Sequence, residues 1–261
     1  MNPNPNTLPG TSRLLLLGLA LLSSTLAHAQ ADVLRILKDV DRMRGGGDQV
    51  QVEMEIKLQQ ADGQVEKTRR YTVFAQDARR TLVVMRSPAD QGQKMLMLGD
   101  DFWLLMPGSQ RPLRITPAQK LLGEASTGDV ATLNWADDYE GRVVGEERCE
   151  RPSPQEALPC WHLDLKARRT GVSYQRIELW VGAAHHEPLR ADLYVHSEKL
   201  AKQARFVIDQ PQAPTRVDEM WLLDTLGSRK TTRVRYLTRQ ARAVPETWLN
   251  PMYLARQPVL E

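Results

Sequence analysis

From Gln49 onward the chain places an apolar residue at every second position. In QVQVEMEIKLQQ (residues 49–60), Val50, Val52, Met54, Ile56 and Leu58 alternate with Gln51, Glu53, Glu55, Lys57 and Gln59. A period of two puts all five apolar side chains on one face of an extended strand, so this segment reads as β, dry on one side and wet on the other. ADGQ follows, its Asp62-Gly63 suited to the positive-φ position of a hairpin turn. VEKTRRYTVFA returns, RRTLVVMRS comes next, and Pro88 closes the run. RPLRIT adds another strand. After residue 138 the pattern resumes in DYEGRVVGEERC, CWHLDLKA, YQRIELWVG, PLRADLYV and LAKQARFVI, then in RVDEMWLLD and RKTTRVRYLTR, a hairpin around TLGS. Many short strands with tight turns and few helices predict one mostly antiparallel β domain over residues 30–261, mainly β with some α.

Helical spacing is confined to short pieces. Val33, Leu34, Leu37, Val40 and Met43 line one side of ADVLRILKDVDRMR, which stops at Gly45-Gly46-Gly47. TPAQKLLG carries Thr116 as N-cap, Pro117 at the first helical position and Gly123 as stop, and Asp129 offers a second cap. PETWLNPMYLAR reads as a short terminal helix.

One stretch breaks the alternation. GQKMLMLGDDFWLLMPG (residues 92–108) is apolar on both faces of both its strands. Paired across Gly99-Asp100-Asp101 as a three-residue hairpin, Met95, Met97, Trp103 and Leu105 share one face. Leu96, Leu98, Phe102, Leu104 and Met106 share the other; a one-residue slip exchanges the partners. Soluble monomers seldom leave so large an apolar face bare, so a second cover is required. The N-terminal and middle helices are the expected covers, with a bound apolar ligand as the alternative filling. Methionine enrichment (Met85, Met95, Met97, Met106) favours a surface that adapts to more than one partner shape. The candidate ligand-facing set is Met95, Met97, Trp103 and Leu105, with Val83 and Met85 from the preceding strand and Leu34 and Leu37 from the first helix. Arg79, Arg80 and Arg114 stand where they could meet headgroups or latch a lid, or simply be solvated surface charge.

The first thirty residues read as an export signal. A polar leader ends in Arg13, Leu14–Leu22 is an apolar run too short to span a bilayer as a helix, and SSTLAHA ends in the small-x-small pattern of a cleavage site. Cleavage is expected after Ala29, with Ala31 the alternative, releasing the chain into an oxidising exported compartment, the periplasm. There Cys149 and Cys160 read as a disulfide closing ERPSPQEALP, the other reading being two separate buried thiols. Such a closure contributes about 2–3 kcal/mol by the chain-entropy estimate.

The formal charge is +3, and loss of Arg13 would leave +2, too little for nucleic-acid binding by phosphate neutralisation. Ser126 in GEASTG lacks the spacing of a nucleophile elbow. His185-His186-Glu187 sits in an expected turn and lacks the spacing of a compact metal site. Asp100-Asp101 and Asp137-Asp138 fall at turns, where Asp serves the backbone. No catalytic group, metal site or cofactor is expected.

The stretch GQKMLMLGDDFWLLMPGSQRPLRITPAQKLLGEASTGDVATLNWADDY (residues 92–139) resembles the outer-membrane lipoprotein-sorting proteins of the LolA-like family. So does the later YQRIELWVGAAHHEPLRADLYVHSEKL. The resemblance implies an incomplete antiparallel β-barrel, a half-barrel whose concave face is covered by helices. It also implies a periplasmic carrier of lipid or lipoprotein acyl chains, passing them from an inner-membrane transporter complex to an outer-membrane acceptor. The chain is expected to act as a monomer. The alternative is a non-enzymatic accessory or sensor module of a membrane transport system using the same fold.

Overall fold

The computed structural model describes residues 32–45, 49–76, 79–115, 129, 134–152, 154–169 and 171–256. The export signal, Ser126 and most of the two middle helices lie outside them. Helix α1 spans residues 32–44. The strands follow as β1 (Val50–Gln59), β2 (Val65–Gln76), β3 (Arg80–Met85), β4 (Lys94–Leu98), β5 (Asp101–Leu105), β6 (Leu113–Ile115) and β7 (Tyr139–Glu150). Next come β8 (Ala157–Ala167), β9 (Arg176–Gly182), β10 (Pro188–Tyr194), β11 (Leu200–Ile208), β12 (Val217–Asp224) and β13 (Thr231–Ala241). Helix α2 (Trp135–Asp138) precedes β7, and α3 (Pro251–Leu254) lies near the end. Among the described residues no helix is long and apolar enough to cross a membrane.

All thirteen strands form one open sheet in the order β6-β5-β4-β3-β2-β1-β13-β12-β11-β10-β9-β8-β7. Every pairing is antiparallel, as tight turns between successive strands require. The one long-range pairing, β1 with β13, joins two meanders into a continuous surface. The sheet curls around a cluster that draws residues from strands along almost its full width and from α1 and α2. The fold is thus the mostly antiparallel β domain that the alternating pattern predicts, curled into the open half-barrel that the resemblance implies.

The doubly apolar strands are covered twice. Val83, Met85, Met95, Met97 and Phe102 join the cluster on the α1 side, with Val33, Ile36, Leu37, Val40 and Met43 of the helix. Leu82, Val84, Leu96 and Leu105 face the other way, against Val244, Leu249 and Leu254 of the C-terminal segment. The second cover is therefore the chain's own end, which the pattern analysis did not name. The expected terminal helix is broken into a 3-10 turn (Glu246–Leu249) and α3, because Pro251 has no N–H and Asn250 starts a new helix, its side chain accepting from Met252 N–H.

The β4–β5 register corrects the expected hairpin. Leu98 lies opposite Asp101 and Leu96 opposite Trp103, leaving Gly99-Asp100 as a two-residue turn. Gly99 has φ 60°, which the short turn's twist favours. One residue fewer in the turn moves every β5 side chain to the opposite face. Phe102 and Leu104 consequently share a side with Met95 and Met97, while Trp103 and Leu105 pack with Leu96 and Leu98. On β7 and β8, Cys149 and Cys160 are joined as a disulfide, as expected.

Candidate functional site

Helix α1 is seated by apolar contacts and fixed by a few polar ones. Its inward residues Val33, Ile36, Leu37 and Val40 are each at most 4% exposed. On its flank, Asp39 Oδ2 lies 2.8 Å from His186 Nδ1, in the turn between β9 and β10. His186 adopts φ 58°, left-handed backbone that histidine enters more readily than most residues. Burial raises the Asp39 pKa, but hydrogen bonds from His186 and Arg42 outweigh it and leave the carboxyl below its ordinary range. The doublet His185-His186 therefore serves, through its second member, as a contact between helix and sheet. Among the described residues no group of three or more His, Cys, Asp or Glu is placed to hold a metal ion.

Toward the C-terminal end of α1, Asp41 accepts hydrogen bonds from the backbone N–H groups of Trp135 (2.8 Å) and Ala136 (2.7 Å). These are donors at the start of α2 that its own turns leave unused. Arg44 lies 3.6 Å from the Asp41 carboxylate, and its guanidinium stands 3.8 Å over the Trp135 ring. Burial pushes the Asp41 pKa up to about 7, against the opposing pull of Arg44 and the two N–H donors. Helix α1 thus carries at its seat a carboxyl whose charge is costly to keep while it is buried there.

A cleft opens beside this seat. It measures about 450 Å³ counting its mouth, and Arg44, Trp135, Tyr139, Tyr174, Phe206, Met220 and Leu222 are among its walls. The cleft is mostly apolar with a polar corner: Asp129 accepts from Tyr174 Oη at 2.6 Å and pairs with Lys202 Nζ. Tyr139 Oη donates to the Tyr174 carbonyl at 2.8 Å, and burial holds its pKa far above the usual phenol range.

The sheet's twist brings two distant hairpins together at the rim. From β4 to β9 there are eight strand-to-strand steps; at about 20–25° each these amount to roughly half a turn. The β4–β5 turn therefore meets the β8–β9 loop. Asp100 binds Arg79 and Arg169, each at 2.8 Å, and Arg169 also lies 2.8 Å from Asp138. Gly171 is required here, since a Cβ would fall 2.2 Å from Asp100 Oδ1. An ionic clasp thus ties together parts of the barrel that no strand pairing joins. With Asp100 half exposed, each pair contributes at most about 1 kcal/mol. Arg169→Glu also breaks the pair with the buried Asp138 and sets a third carboxylate beside the other two, so it is expected to lower stability by about 3 kcal/mol or more, part of which should shrink as salt is added, which denaturation at two ionic strengths measures.

The sequence-predicted residues divide. Leu37, Val83, Met85, Met95 and Met97 lie in the buried cluster on the α1 side, though none of them borders the cleft. Leu34 is 40% exposed, on the outer side of α1. Trp103 and Leu105 lie on the opposite face, under the C-terminal segment, for the register reason given above. Each candidate rim arginine is ion-paired: Arg79 with Asp100, Arg80 with Glu246 at 2.8 Å, and Arg114 with Asp101. The cleft's own walls were missed. Tyr139, Phe206, Met220 and Leu222 read only as inward positions of ordinary strands, and nothing local marks which inward positions border open space.

Comparison with known proteins agrees with this geometry. A LolA superfamily protein from Nitrosomonas europaea superposes with a TM-score of 0.72 at 26% identity, over 84% of this chain and 97% of that one. A family model described only as that of an uncharacterized protein matches residues 77–256, more than half of the chain. The chain belongs to the LolA-like family. A putative outer-membrane lipoprotein-sorting protein domain from Vibrio parahaemolyticus shares the LolA-like fold, with a TM-score of 0.67 at 18% identity over 85% of this chain and 98% of that one. So does a DUF1329 family protein from Desulfovibrio piger, with a TM-score of 0.69 at 20% identity over 87% and 99% of the two chains. No curated protein matches the chain.

Proposed function

We propose that this LolA-like protein is a periplasmic carrier that shelters acyl chains of a lipid or lipoprotein inside the half-barrel and moves them toward the outer membrane. The supporting observation is the cover that α1 lays over the concave face, whose gross burial energy is of the size that one acyl chain would supply. The five inward residues of α1 (Val33, Ile36, Leu37, Val40 and Met43) are worth about 1.5–3 kcal/mol each when buried, or roughly 8–15 kcal/mol gross. A sixteen-carbon chain at about 0.8 kcal/mol per CH₂ grosses roughly 12 kcal/mol. Exchange of helix for cargo is then nearly balanced, so cargo can be taken up and released without an energy source in the protein itself. The cleft beside Trp135 gives cargo a place to begin.

Carriage of this kind needs no nucleophile, metal or general base, and the relatives' lipoprotein-sorting description fits a protein that binds and hands on. Export to the periplasm rests on the leader sequence and is consistent with the disulfide. The reading is tested by titrating the protein with a fluorescent fatty acid, alongside native mass spectrometry of protein taken from cells. Ala204, 1% exposed in the wall of the cleft, gives the informative variant. Ala204→Trp is expected to fill the cleft and weaken binding about tenfold or more, as overpacking of a close-fitting site does. A wild-type protein that binds no fatty acid and carries no lipid from the cell would end the carrier reading and leave the accessory-module one.

A further inference from the structure

We propose that the end of the sheet beside α3 docks on the surface of an anionic phospholipid membrane. The placement follows from register. Lys94 begins β4 opposite Val84 on β3 and Leu105 on β5, so the chain leaves the sheet at this end through Arg86 on one side and Met106 on the other. Lys94 Nζ donates to the Leu254 carbonyl at 3.3 Å, which fixes α3 to the same end. Leu254 is buried beneath the helix, while Met252 is 75% and Tyr253 38% exposed on its outer side, and Met106 is 44% exposed. Three apolar or amphipathic side chains are therefore exposed on segments that lie at this end of the sheet.

The surrounding charge selects the partner. Lys94 is itself buried beneath α3, at 6% exposure, but Arg86 and Arg256 are exposed at this end, the Arg256 guanidinium standing 5.0 Å over the Tyr253 ring. Among the described residues no carboxylate pairs with Lys94. Burial, and then the nearby Arg86, hold the Lys94 pKa below its usual range. Of the acids close by, Asp90 is taken by Arg69 and Glu53 faces Arg86. A protein partner would need a matching acidic surface with a pocket for Met252, whereas an anionic bilayer offers both features at once: negative headgroups, and beneath them an apolar layer. Methionine can enter that layer, tyrosine rests at the headgroup level, and arginine reaches upward to phosphate. Each such cation strengthens attachment roughly fivefold at an anionic surface. The proposal does not depend on what the interior of the barrel carries.

The test is co-sedimentation of the full chain with vesicles of phosphatidylglycerol mixed with phosphatidylcholine, and with vesicles of phosphatidylcholine alone. Binding is expected only to the anionic vesicles, weakening as salt is raised. Met252→Glu is expected to reduce it about tenfold and Arg256→Gln about fivefold, both with unchanged melting temperature because both side chains are exposed. Leu226→Glu, at an exposed position in the β12–β13 turn, is expected to change nothing. Binding to neither kind of vesicle, equal binding to both, or equal loss from Leu226→Glu would overturn the assignment; the first of these would point instead to a protein partner.

Discussion

Replacing Lys202 with Met is expected to destabilise the protein by about 3–5 kcal/mol, among the largest effects available from one side chain outside the apolar core. Lys202 Nζ pairs with Asp129, and the two side chains are 9% and 3% exposed. Removing the ammonium takes away the cation that Asp129 pairs with, and the neutral hydrogen bond from the Tyr174 hydroxyl does not offset a buried carboxylate's lost hydration. The paired variant Lys202→Met/Asp129→Leu is expected to recover most of the loss, because removing both charges removes the desolvation cost with the attraction. Urea denaturation of the wild type and the two variants measures it. If the single variant were as stable as the wild type, water would have to reach Asp129 in solution. Since Asp129 lines the cleft, the same measurement reports how dry that corner is.

The second large effect is in pH. Asp41 has its pKa raised from 3.8 to about 7 in the folded protein, chiefly by burial. Between those values the folded state holds a proton that the unfolded state has released, so stability falls as pH rises from about 4 to about 7. A shift of this size corresponds to at most about 4 kcal/mol. Asp41→Asn should flatten the profile over that window. The lowered carboxyls act elsewhere on the scale. Asp209 is held at about 2 because hydrogen bonds from Thr215 and nearby backbone outweigh its burial, and it withdraws stability only as pH drops below about 4. Because Asp41 joins α1 to α2, the part of the molecule that loosens with rising pH is the lid. Denaturation curves and binding of an apolar dye, followed from about pH 4 to about pH 7, should show the lid's contribution first.

Much of the architecture was legible without coordinates because its cause is local. A strand that is wet on one face and dry on the other must alternate, and β1 does so from Val52 to Leu58. The doubly dry strands within residues 92–108 were legible for the same reason, as departures from that alternation. The functional site was legible only in part. Val83, Met85, Met95 and Met97, expected to line a cavity, lie in the buried cluster without bordering the cleft, while Trp103 and Leu105 fall on the opposite face because the turn is one residue shorter than expected. Short hairpins differ little in local preference, and a difference of one residue reverses two faces.

The sequence by itself determined that this chain is a mostly antiparallel β protein with an amphipathic N-terminal helix and a tight Cys149–Cys160 loop. Those features depend on periodicity, turn chemistry and short chain separations, all of which act between near neighbours. The tertiary structure alone decided which segment covers which face, which inward side chains border open space, and which charges meet. Asp41 reaches α2 across 94 residues, and Asp100 reaches Arg169 because the twist of eight successive strand pairs brings two hairpins face to face. Contacts of that kind are set by the accumulated geometry of the whole sheet, to which each residue contributes only a small rotation.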